Sequence, residues 1–126
     1  MERIEEFTCE GRNFIYIDFS GCREEKDFVD LTNKIEQVII KYPKKSLYTI
    51  TNIADIRFDT RSKDIVAKYM EKNKPYVKCG AVIGVDGIKK MMLNGVFQMS
   101  GRDDLFYVFT KEKAIELLLQ QENDRD

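Results

Sequence analysis

Short runs of β-forming residues alternate with segments of helical period along almost the whole chain, and this alternation restricts the fold more than any other feature. EFTCE (6–10) and NFIYIDF (13–19) meet at Gly11-Arg12, a turn dipeptide between β-formers. LYTITNI (47–53), VKCGAVIG (77–84) and LFYVF (105–109) follow as β-branched, aromatic or apolar runs. The predicted order is β-β-α-β-α-β-α-β-α. Strands separated by helices of about ten residues or more require crossovers, which makes the sheet mostly parallel, and the opening hairpin makes it mixed. The expected fold class is α/β, with a mixed, mostly parallel sheet of four to five strands and about four helices.

The periodicities assign faces. In 13–19, Ile15, Ile17 and Phe19 point one way while Phe14, Tyr16 and Asp18 point the other, so the strand is interior with helices on its faces. From Glu24 to Tyr42 the residues Phe28, Leu31, Ile35, Val38, Ile39 and Tyr42 form one stripe of roughly 100°, and Pro43 stops the helix. A helix from about Arg61 to Lys74 turns Ile65, Val66, Tyr69 and Met70 inward, with Asp59 or Thr60 as its cap. The helix from Gly87 to Ser100 is expected to bury Ile88, Met91, Met92, Val96 and Met99, with Gly95 on the same stripe and Gly101 ending it. Thr110 caps a final helix through about Gln120. Residues 1–121 form a single domain, and 122–126 a polar tail.

At 126 residues the chain can bury one real core. No apolar run approaches the roughly 20 residues of a membrane helix, and MERIEEFTCEG lacks the apolar stretch of a signal peptide, so a cytoplasmic protein without membrane insertion is expected. The net charge of −1 recommends neither nucleic acid nor an anionic membrane. The basic stretch KYMEKNKPYVK (68–78) reads as a solvated helix end and turn, where cations suit the helix dipole, in preference to a phosphate contact. Three cysteines and no histidine fit neither a disulfide framework nor a zinc site, so Cys9, Cys22 and Cys79 are expected as free thiols, with no metal and no cofactor. Cys22 beside Arg23 has a setting that can lower a thiol pKa, but a small half-buried turn residue is the better reading, since no histidine can act as its base.

The turn Gly84-Val85-Asp86-Gly87 lies between a strand and a helix, where backbone N–H groups can converge on an anion. It lacks the Lys-Ser/Thr that follows a nucleotide-binding loop, and Asp86 would repel a phosphate. A tight turn with Asp86 as N-cap is favoured. Ligands of open α/β sheets bind beyond the carboxyl ends of the strands. That edge should gather Asp18, Ser20, Thr51, Asn52, Asp86 and Gly87, the candidate ligand- or partner-binding residues. Without histidine or a paired cation they make a weak catalytic set; a divalent cation is one reading, and caps and turn hydrogen bonds are the favoured one. Leu93 and Phe97, four apart, fall off the core stripe. They mark a partner surface, a homodimer contact or an apolar ligand site, or else the flank of a wide core contact.

The arrangement, together with NKPYVKCGAVIGVDGIKKMML and SGRDDLFYVFTKEKAIELL, resembles the STAS fold of sulfate transporters and anti-sigma-factor antagonists. The likeness is nearer to small prokaryotic proteins described as anti-sigma-factor-antagonist-like, or STAS/SEC14-like, and runs from about Asn13 to Leu119. It implies non-catalytic regulation through protein contacts, and sometimes a bound small ligand. In true antagonists a serine in a D-S-S/T-G-like motif at the start of the helix after the third strand is phosphorylated. Here the region reads NIADIRFDTRSKDI, so Thr60 and Ser62 are only approximate positional counterparts. The SEC14-like side implies an apolar pocket for lipid-like molecules, lined by the Met-rich helix. The expectation is a regulatory interaction domain with a protein partner. The alternative is a binding protein for a small anion or apolar metabolite at the carboxyl edge of the sheet.

Overall fold

The computed structural model describes residues 3–57, 59–101 and 105–125, with side chains except at 88, 89, 92, 97, 99, 100 and 122–125. The chain runs β1 (Ile4–Cys9), β2 (Arg12–Asp18), α1 (Glu25–Ile39), β3 (Leu47–Asn52), α2 (Thr60–Asn73), β4 (Val77–Ile83), α3 (Gly87–Ser100), β5 (Leu105–Tyr107) and α4 (Lys111–Arg125). The strands lie in sequence order in one sheet. β1 is antiparallel to β2, and β2 through β5 are mutually parallel. The hairpin turn falls at Glu10-Gly11, one residue earlier than expected, because both residues take positive φ (50° and 77°), as a tight turn matched to the strand twist requires.

Strand order that never reverses has a consequence for layering. Crossovers of one hand along such a sheet place every connecting helix on the same face. Accordingly α1, α2 and α3 cover one face, over Ile15, Ile17, Leu47 and Val82. α4, which follows the last strand, covers the other, setting Ala114 and Leu118 against Phe14, Tyr48, Ile50, Cys79 and Ala81. The two-faced reading of β2 holds: Ile15, Ile17 and Phe19 enter one core, Phe14 and Tyr16 the other.

α1 buries Phe28, Leu31, Ile35 and Ile39, with Val38 and Tyr42 packed at the margin. The Asp59 carboxylate accepts from Ser62 N at 2.9 Å, so Asp59 caps α2. The Thr110 hydroxyl accepts from Lys113 N at 3.1 Å and caps α4. α4 continues to Arg125, about a turn beyond the expected end, so most of the polar stretch read as a tail is helical. In α2, Tyr69 and Met70 are buried as expected, but Ile65 and Val66 are only partly so, and Ala67 and Asn73 go inside with them.

The expected facing of α3 holds at Val96, which is fully buried, and fails at Met91, which is 77% exposed; among the described side chains of the helix it is Leu93 (4% exposed) that accompanies Val96 into the core. The side chains of Ile88, Met92, Phe97 and Met99, also assigned faces from the sequence, lie outside the described residues.

β1 is fastened to both layers. The Tyr42 hydroxyl donates to Glu6 Oε1 (2.5 Å) on the three-helix face. On the other, Lys111 Nζ pairs with Glu5 (2.6 Å) and lies 4.7 Å above the Tyr16 ring. Burial, and then the hydrogen bond that the phenol donates to the Glu6 carboxylate, push the Tyr42 phenol from its ordinary 10 up to about 12. A folded-state pKa raised in this way contributes stability fully present below pH 10 and lost as pH rises towards 12. In an ultraviolet titration of the folded protein, Tyr42→Phe is expected to remove an ionisation near pH 12; a Tyr42→Phe curve superposable on wild type would contradict the contact.

Candidate functional site

The carboxyl ends of β2 to β5 lead into four loops, and the structure shows which of the expected residues these bring together. Asp18 and Asn52 are register partners, and Asn52 in turn faces Ile83. Asp86 lies three residues beyond Ile83, past the strand end. These positions thus follow one another along the ends of neighbouring strands.

Several of these residues are engaged in the fold itself. Ser20 N donates to Asp18 Oδ1 at 2.8 Å, forming a local side-chain turn. Arg3 donates to the carbonyls of Asp18 (2.9 Å) and Ser20 (2.8 Å). Asn52 uses both ends of its amide: Nδ2 donates to the Tyr16 hydroxyl (3.0 Å), and Oδ1 accepts from Ala54 N (3.0 Å). Thr51 lines an internal cavity on the three-helix face. Ser62 is 2% exposed, and its hydroxyl accepts from Asp59 N at 2.8 Å, so a modifying enzyme could reach it only by unwinding the first turn of α2. Thr60 is exposed at the start of that turn.

Leu93 is not on a surface, so it cannot form the apolar patch expected of it; it packs into the core beneath α3, the flank-of-core alternative. The Phe97 half of that patch lies outside the described side chains. Cys22 is buried, and its thiol is raised above the ordinary value, by burial first, with Asp27 and Asp18 adding and the Arg3 guanidinium opposing. The nearby cation is Arg3, not Arg23, whose guanidinium donates to Asp55 at 2.9 Å. The thiol is held protonated, which disfavours a nucleophilic role.

The β4–α3 turn resolves in favour of packing. Gly84 has φ 80°, and a Cβ there would sit 2.6 Å from Ala54 N, so this glycine permits the β3–α2 loop to lie against it. Asp86 precedes the helix, and its carbonyl accepts from Lys90 N (2.9 Å) as the first helical bond.

What does converge at this end of the sheet is an open groove of about 360 Å³, lined by Gly84, Val85, Asp86, Gly87, Lys90, Tyr107, Val108 and Phe109. Its floor is fixed: the Tyr107 hydroxyl donates to Asn94 Oδ1 (2.8 Å), Lys90 Nζ stands 5.2 Å over the Tyr107 ring, and burial raises the Tyr107 phenol. Phe109 stands at its rim with 94% of its surface in solvent. The periodicity of the sequence hides this residue by running the last strand through it. β5 ends at Tyr107, which frees Phe109 from the strand alternation. Its position just before the Thr110 cap is a signal in the sequence, since an apolar residue there ordinarily packs on the first turn of its helix; here it does not.

On the three-helix face a cavity of about 50 Å³ lies beneath α2, with Thr49, Thr51, Val82, Leu93 and Leu105 in its lining. That is room for about one or two waters at about 30 Å³ each. No helix among the described residues is long and apolar enough to cross a membrane. No protein-family model matches the chain, and a search of curated proteins finds no match either.

Proposed function

We propose that this chain is a STAS-like regulatory domain of the cytoplasm that acts through protein contacts and performs no catalysis, its working surface being the groove between the start of α3 and the β5–α4 loop. The observation that carries the reading is Phe109. A phenyl ring kept 94% in solvent beside a recess, with its neighbour Tyr107 already packed, stabilises nothing in the isolated chain. Exposed large apolar side chains next to a recess are features of contact surfaces. The residues that resemble the STAS group, GAVIGVDGIKKMML and DDLFYVFTKEKAIELL, include those that build this groove. Between the two hydroxyls considered for a phosphate, Thr60 is the accessible one, so any phosphorylation switch would act there and not at Ser62.

The test compares tagged wild type with Phe109→Glu, both confirmed folded, in affinity capture from the source cells followed by mass spectrometry. Wild type is expected to retain a distinct protein that the variant loses. Equal retention by both would remove Phe109 from the contact. A native mass spectrum of the purified chain carrying extra mass that is released on denaturation would favour the small-ligand alternative instead.

A further inference from the structure

We infer that the groove also receives a second copy of this chain, Phe109 of each copy entering the recess of the other across a twofold axis. The inference rests on the reading of this edge as a protein-contact surface and adds the identity of one partner. A twofold contact uses the same patch on both copies, so the patch must carry both halves of every interaction. This one does. It presents a projecting ring, Phe109, and beside it a recess of about 360 Å³ in which Gly87 contributes no side chain.

The charges agree with this occupant over others. Among the described residues of the groove the charged ones are Asp86 and Lys90, one of each sign and both at its surface, with Lys90 also over the Tyr107 ring. A strongly acidic or strongly basic partner would meet one of them as a like charge. A twofold copy instead brings Lys90 of one chain towards Asp86 of the other, and the overall charge of −1 opposes self-association little. Met91, 77% exposed, lies four residues after Gly87, on the same side of α3, and widens the apolar area beside the groove. β5 ends the sheet on this side among the described residues, so no further strand covers the approach.

The test is sedimentation velocity on the full chain up to about 1 mM, well above the micromolar weak limit of standard-size contacts. A dimer is expected. Phe109→Glu should raise its dissociation constant about 30-fold or more, as loss of a central aromatic anchor does, with an unchanged far-ultraviolet spectrum. Lys90→Glu and Asp86→Lys should each weaken self-association and, when mixed, pair with one another. A wild-type monomer throughout the range overturns the inference, as does a dimer indifferent to Phe109→Glu. Failure to dimerise while a different protein is still captured sinks this inference alone. Dimerisation with no other protein captured sinks the regulatory-partner reading and leaves the inference standing.

Discussion

Leu93→Ala is expected to lower the unfolding free energy by about 2–5 kcal/mol, while Met91→Ala, two residues away on the same helix, changes it by less than about 0.5 kcal/mol. Leu93 is 4% exposed and lines the small cavity beneath α2, so truncation would enlarge a void that already exists. Met91 is 77% exposed and has little apolar contact to lose. Urea denaturation of the two variants beside wild type measures both numbers. The contrast is informative because helical spacing alone puts Met91 inside and leaves Leu93 off the core stripe, either on a contact surface or on the flank of a wide core contact. Equal losses, or a larger loss at Met91, would mean that α3 is rotated from the position described. The same result bears on any search for a binding surface: a charge introduced at Leu93 would unfold the helix face and not test a contact.

Gly84→Ala is expected to cost about 2–5 kcal/mol, in two parts. An alanine in the left-handed conformation that Gly84 occupies (φ 80°) costs roughly 1–2 kcal/mol, and overpacking adds typically 1–3 kcal/mol. The overpacking here is against main chain, since the new Cβ would lie 2.6 Å from Ala54 N and 2.9 Å from Ala54 Cα, atoms that cannot swing aside. Gly95→Ala is the control. Among the described residues a Cβ there meets nothing within 4 Å, so the helix should gain about 1 kcal/mol from the better helix former. Thermal and urea unfolding that left Gly84→Ala at the wild-type midpoint would show that the β4–α3 turn does not press on the β3–α2 loop.

Residues with local reasons for their conformation are legible in the sequence. Ile15 and Ile17 against Phe14 and Tyr16 signal a strand covered on both faces, and two helical layers are there. Asp59 and Thr110 cap the helices they precede, because a cap needs only a short side chain and the N–H groups of the next turn, whereas α1 already ends at Ile39, three residues before the expected end at Tyr42 and clear of Pro43. The five strands, the four helices and their order follow from such patterns. The residues of the carboxyl edge are legible one by one but not as a set. Asn52 is a binding candidate by its place at a strand end, yet its amide is satisfied by Tyr16 and Ala54, partners that only the folded chain brings to it.

What the amino-acid sequence determined by itself was therefore the identity and succession of the elements, because periodicity, caps and turn residues act within a few positions of one another. Tertiary structure alone decided the rotation of α3 and the exposure of Phe109. A helix with apolar residues on more than one side can turn any of them inward, and the outcome depends on the core it meets, here the three-helix face that Leu93 and Val96 join. A phenylalanine just past a strand end is buried or exposed according to what lies beside it. At this end of the sheet, among the described residues, what lies beside it is an open groove.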